Sequence, residues 1–305
     1  MARFANILHD KAFKIVLFTP ENEGLLIDMV ELLLPGKHVK SLRLEPTEQQ
    51  GLVLSDKSST FDLYCTSETG EMFIVEMQYS AQEHYADRML CYASFPIRTQ
   101  MAQMHADLES GKRSSRMDYG LVPIYVVSIL NFRIDHEDDR ILDGGLVSHY
   151  GICSPKTGEV MTDALQFTFV ELDRLKVSKD HPEQCRSVLE QFAYSMKYMS
   201  ERETRPEGFD EDLLRKLYRA SELVNLSIEQ QIQLQEVMRT ELDRIAEINY
   251  AWKDGMKQGR EEGREEGRAE ERLASAKALL AAGIPLETLV NSLHLSEEEV
   301  RKMTE

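Results

Sequence analysis

Two acidic residues stand inside runs that otherwise read as apolar strands: Asp62 in Thr60-Phe-Asp-Leu-Tyr-Cys65 and Glu76 in Phe73-Ile-Val-Glu-Met-Gln78. An ionised carboxylate within such a strand is costly to bury unless it meets a cation or a hydrogen-bond donor. The turn-forming stretch Ser67-Glu-Thr-Gly70 between the runs would bring the two acids side by side. Mg2+ is held in this way, by one or two carboxylates together with waters and phosphate oxygens. The pair is therefore a candidate metal site for phosphodiester chemistry. Gln78 follows Glu76 by two residues and so projects from the same face of its strand.

This geometry depends on register. A connection with an odd number of residues, such as 67 to 71, or one with a bulge, lets Asp62 and Glu76 oppose each other on a shared face. An even connection, 67 to 70, pairs Asp62 with Val75 and, without a bulge, turns the acids to opposite faces. The alternation assigns Phe61, Leu63, Phe73, Val75 and Met77 to a core face and Asp62, Glu76 and Gln78 to the other. The expected hairpin is half core and half functional.

The surrounding elements must position this hairpin. Apolar residues at helical spacing (Leu8, Ala12, Phe13, Val16, Leu17) predict a helix over 7–18, and a second runs from about Asn22 to Leu34 before Pro35-Gly36. Val39 to Leu44 alternates as a first strand, and 49–59 reads as a polar loop. Residues 83–108 read as a helix with Arg88 and Tyr92 four apart on one face, and Pro96 predicts a kink or a split. Leu121 to Phe132 is a nearly continuous apolar run, expected as a central strand covered on both faces. The acidic stretch Asp135 to Asp143 reads as a solvated loop, and Leu165 to Leu172 as a further strand. Helices follow at roughly 182–200, 209–222 and 227–253.

From Gly255 the pattern changes, with Gly255, Gly259, Gly263 and Gly267 recurring among Arg and Glu. Each glycine lowers helix stability by about 1 kcal/mol relative to Ala. Pairs such as Glu261 with Arg264 recover only a few tenths. A solvated, marginal helix or hinge is expected there. Leu273 to Glu305 reads as two short helices around Gly283-Ile-Pro285, with a capping box at Ser296-Glu-Glu-Glu299. The expected organisation is a main domain over 1–180, a helical extension over 181–254, the glycine-rich segment 255–272 and a small helical element over 273–305.

The totals narrow the function. A chain of 305 residues can bury a real core, and its net charge of -17 argues against a general polyanion binder. Any contact with nucleic acid must be local and assisted by metal. No apolar run approaches the twenty residues of a membrane span, and the first residues lack a signal-peptide pattern. Cys65, Cys91, Cys153 and Cys185 show no paired spacing and read as reduced thiols of a cytoplasmic protein. The eight histidines form no close pair at zinc-ligand spacing.

The order helix, strand, strand with Asp, strand with Glu-x-Gln, helix, strand resembles the PD-(D/E)XK nuclease core. More narrowly, the chain resembles the Rpn family of recombination-promoting nucleases and transposase-like proteins. The resemblance rests on Asp10-Lys-Ala-Phe-Lys14, Phe61-Asp62, Ile74-Val-Glu-Met-Gln78, Arg88 with Tyr92, Tyr119-Gly-Leu-Val-Pro-Ile-Tyr125 and the glycine-every-fourth tail. It implies an α/β fold, a restriction-endonuclease-like core (αβββαβ, mixed central sheet) with a helical C-terminal extension. It also implies an Mg2+-dependent DNA endonuclease (Mn2+ or Ca2+ as other ions) that nicks or cuts duplex DNA with little sequence preference.

In that reading Asp62, Glu76 and Gln78 are catalytic. Asp62 and Glu76 hold the metal with the Met77 backbone carbonyl, and Asp10 resembles the family's helical acid as an outer-sphere group. Lys14, Arg88 and Tyr92 contact DNA. Gln78 stands where the superfamily usually has lysine; its amide can orient water but offers no charge, which leaves activation of the water to the metal. The alternative is a degenerate nuclease fold that acts as an interaction or regulatory protein, a homo-oligomer through its C-terminal helices.

Overall fold

The structure is a computed structural model that describes residues 3–17, 19–46, 48–49, 59–110 and 119–293. Its elements in chain order are α1 (Asp10–Leu17), α2 (Glu23–Leu33), β1 (Leu42–Leu44), β2 (Glu48–Gln49), β3 (Ser59–Thr60), β4 (Leu63–Ser67) and β5 (Met72–Gln78). There follow α3 (Tyr85–Glu109), β6 (Ile124–Leu130), β7 (Leu142–Asp143), β8 (Val147–Cys153) and β9 (Val160–Glu171). The chain closes with α4 (Val188–Tyr198), α5 (Asp212–Ser221), α6 (Ile228–Ala281) and α7 (Leu286–Leu293).

Seven strands form one mixed sheet in the order β1-β4-β5-β6-β9-β8-β7, and β2 pairs with β3 apart from it. β1, β4 and β5 make an antiparallel meander, α3 crosses over, and β6 lies parallel to β5. This is the αβββαβ order expected from the sequence, in an α/β protein with a mixed sheet. All of Ile124–Leu130 is buried, as an apolar central strand should be.

Both faces of the sheet are covered. Leu63, Phe73, Val75, Met77 and Val127 pack with α1, α2, α4 and α5 in the larger core. Tyr64, Ile74, Val126 and Phe169 pack on the other side with Tyr85, Met89 and Tyr92 of α3. The hairpin is therefore not half core and half open: the face that bears Glu76 is roofed by α3. Phe61, expected with Leu63, belongs instead to the α3 side. The backbone bends at Asp62, just before β4 begins, and the bend breaks the strict alternation.

Three further expectations change. Pro96 neither splits nor ends α3, which runs unbroken from Tyr85 to Glu109. The strand Val147–Cys153 was not foreseen, because its polar and glycine residues hide the period. The acidic segment before it is tethered: Glu171 Oε2 accepts from the Ile134 amide at 2.7 Å, and Glu171 Oε1 meets His136 Nε2 at 2.6 Å.

By contacts the chain divides between Val237 and Met238. α4 and α5, expected in a separate extension from residue 181, share the larger core of the first unit through Phe192 and Leu214. In the second unit the four recurring glycines lie within α6, and a Cβ built on any of them meets nothing within 4 Å. A small cluster of Ala276 and Leu289 joins the end of α6 to α7. The capping box at Ser296 lies outside the described residues. Among the described residues no helix is long and apolar enough to cross a membrane.

Candidate active site

The β4–β5 hairpin settles the register. Thr66 pairs with Met72, so the connection is the odd one, 67 to 71. Ser67 N–H donates to Glu71 O at 2.9 Å and Gly70 N–H to Ser67 O at 3.0 Å. Gly70 has φ +87, a left-handed conformation that glycine adopts at little cost. Leu63 opposes Val75 as the last pair of the ladder, and Asp62, at the bend just before it, lies against Glu76 and Met77. The bend at Asp62 is stitched to β5 through both side chains. Asp62 N–H donates to Glu76 Oε1 at 3.1 Å, and Met77 N–H donates to Asp62 Oδ2 at 2.8 Å.

Both acids are sealed from solvent, Glu76 at 1% exposure and Asp62 at 6%. Burial, and after it the negative charge of Asp62, push the Glu76 pKa up to about 8, against the pull of the Asp62 amide, Arg88 and Lys14. Lys14 Nζ, from α1, lies 3.5 Å from Asp62 Oδ1. Arg88, from the first turns of α3, donates through Nε and Nη2 to Tyr92 Oη at 3.0 and 2.6 Å and through Nη1 to Gln82 Oε1. The i,i+4 spacing read from the sequence thus fixes a guanidinium close enough to Glu76 to influence its ionisation.

The remaining expected residues fall as follows. Gln78 is half-buried on β5, opposite Leu130. The structure joins Met77 to the pair by its amide N–H, while its side chain lies in the larger core. Asp10 opens α1, but its side chain lies outside those described.

Two neighbours of the pair escaped the sequence reading. Ser128 is the register partner of Glu76 on β6, fully buried, and its hydroxyl donates to Met89 Sδ at 3.3 Å. It is the one polar residue in Ile124–Leu130, a signal that was open to notice. Tyr85 begins α3 with its ring buried, and its hydroxyl meets no partner of hydrogen-bond geometry. Burial raises its pKa; the Ser128 hydroxyl works against that and the charge of Glu76 adds to it. Only the fold brings Tyr85 beside Glu76, since nothing in its local sequence marks it.

The donor set can be tested against a divalent cation. Two hard carboxylates meet in a desolvated place where one raises the pKa of the other, a repulsion that a cation relieves. Among the described residues no three His, Cys, Asp or Glu converge as a metal cage. Two carboxylates are a number of protein ligands with which a hard divalent cation can be held when waters and phosphate oxygens complete its shell. The residues present fit such an ion.

No curated protein and no solved structure matches the chain. A family model described as PD-(D/E)XK nuclease family transposase matches residues 7–251. That match spans well over half of the sequence, and the chain belongs to the PD-(D/E)XK nuclease family of transposases.

Proposed function

We propose that the protein is a divalent-metal-dependent DNA endonuclease, with Asp62 and Glu76 as the carboxylates that would hold Mg2+ or Mn2+. The observation that carries this reading is the convergence of two buried acids in the odd hairpin register, Glu76 held by the Asp62 amide and Asp62 by the Met77 amide. A bound ion would supply Lewis-acid polarisation of the scissile phosphate and lower the pKa of a coordinated water. Glu76 must shed its proton to take part, and the charges of Lys14 and Arg88 favour that loss. Lys14 brings to the pair the positive charge that Gln78 cannot, and Gln78 orients the attacking water through its amide. Arg88, aligned by Tyr92, contacts the phosphodiester backbone without reading sequence. The Met77 carbonyl and Asp10 remain further candidate ligands, inner and outer. A cytoplasmic location goes with this proposal.

Plasmid nicking with Mg2+, Mn2+ or chelator tests it. Wild-type protein is expected to nick only with added metal, and Asp62→Asn or Glu76→Gln to remove the activity. Metal-independent nicking, or full activity in both variants, would overturn the proposal.

One observation favours the second reading, an interaction protein. Tyr250 and Trp252 are exposed on α6 at 75% and 63%, apolar surface suited to self-association through the C-terminal helices. Light scattering of the full chain and of Trp252→Glu distinguishes an oligomer from a monomer, and oligomerisation is compatible with the nuclease.

A further inference from the structure

From Arg88 to Ala106 the sequence carries no Asp or Glu, although 53 of the 305 residues are acidic. This stretch is the body of α3, and it bears two guanidiniums, Arg88 and Arg98. In a chain of net charge -17, a contact with a polyanion needs such a local reserve of uncancelled positive charge.

The charge of these two side chains is not spent inside the protein. Several other cations are answered by acids: Lys37 by Glu71 at 2.9 Å, Lys197 by Asp173 at 2.9 Å, and Lys216 by Asp28 and Asp212 at 2.7 and 2.8 Å. Arg88 is held instead by neutral groups, the Tyr92 phenol and the Gln82 amide. Arg98 is half-buried, and its guanidinium lies over the Phe95 ring, 4.5 Å from the centroid. Its Nε is buried with no hydrogen-bond partner, and among the described residues it meets no carboxylate in an ion pair. A buried donor left unpaired is costly, and an acceptor from outside the chain would relieve that cost.

Helix geometry places Arg98 on the approach to the acid pair. Ten residues beyond Arg88, it stands about 15 Å further along α3 and less than about a quarter turn around it. The ring beneath it fixes its position: Phe95 meets Phe61 at 6.0 Å and Tyr92 meets Phe61 at 5.2 Å between centroids, and Phe61 directly precedes Asp62. Arg88 acts on Glu76 through its charge. A polynucleotide held at the pair by one phosphate runs on along the surface, so a second contact needs no passage through the core.

These features select the ligand. The guanidinium fork matches phosphate oxygens, and such contacts position a nucleic acid without reading its sequence. A span of 15 Å equals about four steps along one strand of a duplex, at about 3.4 Å per phosphate. An acidic peptide fits less well, because a phosphate backbone also engages the acid pair through the proposed metal and so gives both parts of the surface one ligand.

We propose that α3 is a track for the DNA backbone, with Arg98 as a phosphate contact about four steps from the bond that is cut. The inference rests on the phosphodiester reading of the acid pair and extends it to the path of the substrate.

The test uses the full chain carrying Glu76→Gln, so that DNA is bound and not cut, and follows fluorescence anisotropy of a labelled duplex at about 50 to 200 mM salt. Adding Arg98→Gln should weaken binding about 3- to 10-fold at the low end and reduce the salt slope by about one, the share of a single phosphate contact. Arg98→Lys keeps the charge and should keep the slope. Both variants should melt like their parent, since neither removes a hydrogen bond within the described residues. An unchanged affinity and slope in Arg98→Gln, or equal losses in Arg98→Gln and Arg98→Lys, overturns the track alone where metal-dependent nicking by the wild-type chain persists. No binding of DNA by the parent at low salt also overturns the track, and with no nicking by the wild-type chain it overturns the nuclease reading too.

Discussion

Glu76 and Glu171 are both buried glutamates on interior strands of one sheet, at 1% and 0% exposure, and their surroundings differ completely. Glu171 is fully answered: Arg174 Nε donates to it at 2.7 Å, the Ile134 amide at 2.7 Å, and His136 lies at 2.6 Å. Arg174 Nη2 also donates to Ile134 O at 2.7 Å, which closes a ring that pins the segment after β6. Glu76 has one main-chain donor at 3.1 Å, faces another carboxylate, and carries a raised pKa. Burial alone therefore does not mark a reactive acid. A carboxylate whose charge is satisfied at every oxygen holds the fold, whereas one whose charge is opposed is ready for a cation.

Substitutions at the two sites should separate these roles. The largest effect is expected for Glu76→Gln or Asp62→Asn, which should cut metal-dependent nicking by at least about 100-fold, or about 2.7 kcal/mol of barrier. Initial rates on supercoiled plasmid would measure it. Glu171→Gln should keep the nicking rate per folded molecule yet lose about 3 kcal/mol of stability, because it removes the buried charge that Arg174 and His136 share and leaves Arg174 only the exposed Asp139 among the described carboxylates. Denaturant titration of the two variants gives that contrast directly, and equal stability losses at both glutamates would remove the distinction.

The pH dependence sharpens the comparison. Between the ordinary carboxylate range and about 8, folded protein without metal holds a proton on Glu76 that the unfolded chain has released. The folded state binds more protons there, so stability falls as pH rises through that window. Glu76→Gln should flatten this slope in thermal melts recorded with chelator. Metal binding, which displaces the proton, should strengthen over the same pH interval and level off above it. The smallest effect is expected at Lys14, half-buried and 3.5 Å from Asp62. Lys14→Met should cost about 1 kcal/mol or less in stability while slowing nicking several-fold.

Much of this could be read from the residues themselves. The acids, the hairpin that joins them and the central strand after α3 were legible because each has a strong local signature: an acid in an apolar run, a Gly-containing turn, a continuous Val and Ile stretch. The register was legible only as a choice, and the φ +87 at Gly70 with the odd connection decided it. Phe61 went astray because a one-residue bend at Asp62 inverts the alternation, and period-two reasoning cannot sense a bend. Ser128 shows in the sequence only as a polar residue in an apolar run, whereas Tyr85 and the Glu171–His136–Arg174 cluster depend on contacts between elements apart in sequence that no window of neighbouring residues reports. Of the two outcomes that Pro96 allowed, the split does not occur, since a long packed helix tolerates the single hydrogen bond that a proline removes.

Calorimetric titration of the chelated full-length protein with Mn2+ at pH 8.5 reaches the central claim most directly. Wild-type protein and Glu171→Gln should take up the ion with matching affinity, and Glu76→Gln should bind at least about tenfold more weakly, a difference of about 1.4 kcal/mol. Should the wild-type protein take up no divalent ion, or Glu76→Gln bind it as tightly as wild type, the opposed acid pair would not be a metal centre.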